Sequence, residues 1–149
     1  MKKVLLLVVV ALIALQGQAQ KGKDEALEAI GGSCSLLLYN TYIIVGMTAD
    51  AYADEVYSGE KATQIVGEQL DGIETIEKQY SALINSGFLT EPSDVQFIEE
   101  FIKTYALVRY EADALVKFIQ SGTAEDSAEY DRYRQMAWAK ISELLGFEE

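Results

Sequence analysis

The sequence contains no histidine, one cysteine and one proline in 149 residues, and only twelve basic side chains against twenty-four acidic ones. Each shortage removes a class of chemistry or structure. Without His there is no Ser-His-Asp or Cys-His catalytic set, no His-ligated haem and none of the His-containing zinc sites. The single Cys34 excludes an internal disulfide framework, and the single Pro92 leaves room for long unbroken helices. The formal charge of −12 disfavours nucleic acid and anionic lipid as partners and favours a basic protein. With 50% hydrophobic and 24% charged residues, the composition is that of a folded globular chain.

What is present starts at the N-terminus. Lys2 and Lys3 precede an uncharged apolar run from Val4 to Leu15, and Gln16, Gly17, Gln18 and Ala19 form a polar exit with small residues at 17 and 19. These are the three parts of a Sec-type signal peptide. The apolar run falls short of the roughly 20 residues needed to span a bilayer. Residues 1–19 are therefore expected to be cleaved after Ala19, giving an exported, periplasmic or secreted protein without a stable membrane anchor. Loss of Lys2 and Lys3 takes the formal charge from −12 to −14.

From Asp24 onward apolar residues recur at helical spacing, with no strand-like alternation. The expected domain, residues 20–149, contains helices over about 24–57, 60–86, 93–120 and 124–146. The first is expected to kink or break at Gly31–Gly32, because two interior glycines cost about 1 kcal/mol each. Gly59 is expected to end it. Ser93 with Gln96 fits a capping box for the third helix, and Thr123 is the expected N-cap of the fourth. Phe88 and Leu89, in the longer link, are expected to fold over one end of the core. Short links force neighbours to run antiparallel, so the expected fold is all-α, an up-down-up-down antiparallel four-helix bundle after a cleavable signal peptide.

Leu36–Met47 carries little polarity beyond Asn40 and Thr41, the pattern of a helix buried on most sides; Asn40 would then need an internal partner. Nine tyrosines suit core edges and interfaces alike. Tyr39, Tyr42 and Trp138 are the expected members of an interaction patch. The carboxylate groups Asp50-Asp54-Glu55, Glu74-Glu77, Glu99-Glu100 and Glu125-Asp126-Glu129 read as solvated helix faces, since neither a calcium loop nor a Glu-x-x-His pair is present. Arg109 is placed to pair with Glu74 or Glu77. Cys34 reads as a small buried hydrophobe, and Gly46, Gly67 and Gly72 as points of close helix approach.

No residue set points to catalysis, a cofactor or a metal. The expected function is that of a non-enzymatic exported interaction module, of inhibitor, immunity or envelope-accessory type, facing a basic protein. A carrier holding a small apolar ligand in the bundle core is the alternative, and a carboxylate metal-dependent enzyme stands further back. Export signal plus acidic helical bundle resembles many exported bacterial proteins and assigns no site residue.

Overall fold

A computed structural model describes residues 2–147, with side chains from residue 22 onward. Among the described residues the chain is all-helical, with four helices and no strand: α1 Lys2–Ala53, α2 Gly59–Asn85, α3 Pro92–Ser121 and α4 Ala124–Leu145. This is consistent with a four-helix bundle. The cleavage point expected after Ala19 lies outside the residues whose side chains are described. Gly22–Ala53 of α1 is long and apolar enough to cross a membrane, a property that core helices and signal sequences share.

The chain divides into two compact units, Met1–Leu36 and Leu37–Glu149. In the first, Cys34 is buried and Ser35 Oγ donates to the Gly31 carbonyl at 2.9 Å. The expected break at Gly31–Gly32 is absent: α1 continues through both as α-helix. Local propensity is a weak force beside helical context on both sides.

In the second unit all four helices contribute buried residues. These include Leu38 and Val45 from α1, Val66 and Ile73 from α2, Phe101, Tyr105 and Leu115 from α3, and Tyr130 and Ile141 from α4. On α2 the buried positions Ala62, Val66, Ile73 and Tyr80 recur at spacings of four and seven, one stripe of a helix. Tyr80 meets Phe101 edge-on at 6.2 Å and Tyr105 at 6.2 Å, and Arg109 pairs with Glu77 rather than Glu74. Leu89 is buried as expected, but Phe88 stays exposed.

Helix ends depart from expectation in four places, the first being that α1 begins at Lys2 rather than near residue 24. The first helix stops at Ala53, short of 57, because Glu55 takes a left-handed conformation with φ 57°. Val56 N–H then donates to the Ala51 carbonyl at 2.8 Å and Glu55 N–H to the Tyr52 carbonyl at 3.1 Å, the backbone pattern of a Schellman stop. Ser58–Gly59 begins α2 instead of ending α1, with Ser58 Oγ accepting from Lys61 N–H at 3.2 Å. For α3 the N-cap is Glu91 with Pro92 in the first turn and no side-chain cap. Proline there lacks only an N–H that would have no intrahelical partner anyway, so the helix starts early and Ser93 falls inside it. Thr123 does cap α4, accepting from Asp126 N–H at 3.2 Å.

The stop at Glu55 gives a test. A β-carbon in the left-handed region costs about 1–2 kcal/mol, offset by the extra unfolded-state freedom of glycine. Glu55→Gly should raise the urea-unfolding free energy by about 0.5–1 kcal/mol, whereas Glu55→Ala should not.

Candidate interaction site

The outer face of α1 corrects one sequence expectation. Leu36–Met47 is not buried on most sides: Leu36, Leu37, Ile44 and Met47 are exposed, Met47 by 65%, and Asn40 faces solvent without needing an internal partner. The buried face runs through Leu38, Thr41, Tyr42, Val45, Thr48 and Ala49. An apolar stretch can thus serve two faces, one in the core and one left open.

The three residues expected to form a patch are brought together, but not on equal terms. Tyr42 is buried and stacks on Trp138, ring centroids 5.6 Å apart and planes at 25°. Trp138 is 40% exposed and stacks in turn on Phe147 at 6.0 Å and 25°. Tyr39, half-buried, meets Phe147 edge-on at 5.7 Å and 76°. The result is an aromatic ledge joining α1 to the end of α4, with Tyr42 as its foundation and Trp138 and Phe147 as its open surface.

Phe147 was not foreseen, though the sequence carries its signal. Gly146 ends α4 in the left-handed conformation, φ 70°, and Phe147 N–H donates back to the Ser142 carbonyl at 3.0 Å. A glycine stop followed by an apolar residue turns that residue back onto the helix it has left.

Beneath the ledge lies a buried polar group that the sequence reading missed altogether. Arg134 of α4 places its guanidinium 5.0 Å from the Tyr42 ring centroid and donates to Glu111 Oε1 at 3.1 Å and to Tyr130 Oη at 3.3 Å. Glu111 is 0% exposed, and its Oε2 accepts no hydrogen bond from the described residues. Burial pushes the Glu111 carboxyl up to about 7 against the opposing pull of Arg134. Burial likewise holds the Tyr130 and Tyr42 phenols above their ordinary value. Desolvation outweighs one cation because Arg134 is itself partly in water.

Gly46 of α1 makes this possible: a Cβ there would overlap the Arg134 guanidinium. The other two glycines expected to allow close approach, Gly67 and Gly72, face open space. Gly46→Ala should gain about 1 kcal/mol of helix propensity but expel a charged hydrogen bond worth about 1.5–3 kcal/mol. The expected net is a loss of about 0.5–2 kcal/mol in urea unfolding at pH 8. At pH 5, where Glu111 is neutral whichever way Arg134 turns, the loss should largely vanish.

Of the acidic residues singled out in the sequence, Glu74, Glu100, Asp126 and Glu129 are held by lysines. Lys117 bridges Asp126 at 2.7 Å and Glu129 at 2.8 Å, Lys140 bridges Glu100 at 2.9 Å and Glu143 at 3.1 Å, and Lys78 pairs with Glu74. Among the described residues no three Asp, Glu or Cys side chains converge tightly enough to hold a metal ion. Comparison with known proteins returns no match: no family model, no curated protein and no solved structure is similar to this chain.

Proposed function

We propose that the protein is an exported, non-enzymatic interaction module whose aromatic ledge binds a basic protein partner. The observation that carries this reading is the ledge itself. Trp138 and Phe147 stand 40% and 44% exposed, held rigid by stacking and by a buried ring below. Rigid, half-open aromatics gain contact area at small entropic cost and are enriched at protein interfaces. The formal charge of −12 would speed encounter with a basic surface. The apolar run Val4–Leu15 behind Lys2 and Lys3 supports export through Sec, with residues 1–19 removed.

The contacts also support the antiparallel up-down-up-down reading. Glu77 meets Arg109 while Tyr80 meets Phe101, and Glu100 meets Lys140 while Lys117 meets Glu129; in each helix pair the partners run in opposite order. As for chemistry, Glu111, whose carboxyl burial pushes up to about 7, is wholly enclosed. That suits a structural role better than a general acid or base, which must reach a substrate atom.

The test is capture of partners from an envelope extract on immobilised protein lacking residues 1–19, at low and at moderate salt. A saturable basic partner should be retained by wild type and lost with Trp138→Ala or Phe147→Ala. Retention should weaken as salt screens the acidic surface. No saturable partner at either salt, or equal retention by the variants, would contradict the reading.

A further inference from the structure

A second aromatic site lies on the seam between α3 and α4, about 140° around α4 from Trp138 and independent of the ledge. Tyr110, Asp113, Ala114 and Lys117 share one face of α3, and Glu129 and Tyr133 lie one turn apart on α4. Between them is an open pocket of about 210 Å³. Ala114, buried, is its small floor, so the hollow exists because a longer side chain is missing there. The volume lies below the roughly 300–1,000 Å³ of sites for drug-sized ligands and suits a single head group.

We propose that this pocket binds an alkylammonium or guanidinium head group, alongside the rings of Tyr110 and Tyr133 and against the carboxylate of Asp113. The two rings sit 5.4 Å apart at 34°, and Tyr110 is 50% exposed, so π surface is available at the mouth. A cation over such a face gains about 0.5–2 kcal/mol. The Tyr133 ring already attracts one: Arg132 places its guanidinium 4.2 Å from the ring centroid, and Arg132 is not among the residues lining the pocket.

The charges in the pocket fit the same occupant. Lys117 would repel a cation, but its ammonium is engaged by Asp126 and Glu129 at 2.7 and 2.8 Å. Arg109, one turn before Asp113 on the same helix, is engaged by Glu77 across the α2–α3 contact. Asp113 is left as the carboxylate in the pocket without an ion pair. Partial burial raises its carboxyl above the ordinary value despite Arg109, so a cation brought against it recovers solvation that the fold has taken away.

The head group could be a Lys or Arg side chain of a protein or a free amine, and both have this chemistry. Tyrosine ring resonances of the protein lacking residues 1–19 would be followed by NMR during titration with butylammonium and, separately, with acetyl-Gly-Lys-Gly-amide and acetyl-Gly-Arg-Gly-amide. The Tyr110 and Tyr133 rings should shift saturably while Tyr80 and Tyr105 do not. Tighter binding of the peptides assigns the site to protein side chains, and equal or tighter binding of butylammonium assigns it to free amines. Asp113→Asn and Tyr110→Leu, both at exposed positions that should leave the fold intact by circular dichroism, should each weaken binding roughly tenfold. No saturable shift at Tyr110 and Tyr133 with any probe would overturn the proposal. So would equal shifts from butanol, or binding unaffected by both variants.

Discussion

Replacing Phe101 with Ala should lower the unfolding free energy by about 3–5 kcal/mol. The ring is fully buried and packs edge-on against Tyr80 at 6.2 Å and Phe97 at 5.0 Å. Its removal therefore loses transfer energy, two aromatic contacts and the packing around a new cavity. Against a total stability of about 5–15 kcal/mol for a domain of this size, that is a large fraction. Phe97, one turn earlier and 39% exposed, supplies the internal comparison: Phe97→Ala should cost about 1 kcal/mol or less. Urea unfolding followed by far-ultraviolet circular dichroism measures both, and equal losses at the two positions would mean that α3 does not present the 101 face to the core.

The second large effect is on pH dependence. Glu111 ordinarily titrates at 4.5 and here is pushed up to about 7 by burial. Between those values the folded chain keeps a proton that the unfolded chain releases, so stability falls as pH rises through the window. Above pH 7 the full cost is present, on the order of 3 kcal/mol. Asp126 acts in the opposite sense. Hydrogen bonds from Lys117, Ser121 and Thr123 lower its carboxyl to about 2, so its contribution is present above the ordinary carboxylate range and is lost in acid. Together they place maximum stability near pH 5. Glu111→Gln should flatten the limb between pH 5 and 8 and leave the acid limb unchanged. Wild-type stability that climbs from pH 5 to 8, or a Gln variant with the same slope, would mean Glu111 is not enclosed as described.

How much of this was legible in the sequence depended on whether the signal was local. Periodicity located the four helices, since each apolar stripe repeats within its own segment, and Thr123 declared the start of α4 through its neighbours alone. The end of α1 was misplaced because Glu55, not a glycine, occupies the left-handed stop, and residue type gives no warning of that. Asn40 was assigned an inner position because apolar residues surround it, yet composition alone does not say which face meets a neighbour. Tyr39, Tyr42 and Trp138 could be named from their type and spacing. The Glu111–Arg134 pair could not, because it joins α3 to α4 through a gap in α1 that Gly46 leaves open. Such a pair is a property of three helices at once.

Trp138 is the only tryptophan in the chain, so its fluorescence reports on the ledge alone. The most direct measurement is the emission maximum and acrylamide quenching of Trp138 as the protein retained in the capture experiment is titrated in. A covered ledge should shift the emission to shorter wavelength and protect it from quencher, saturating with the binding curve. Saturable binding that leaves both unchanged would place the partner elsewhere on the molecule and contradict the assignment of the ledge as the binding surface.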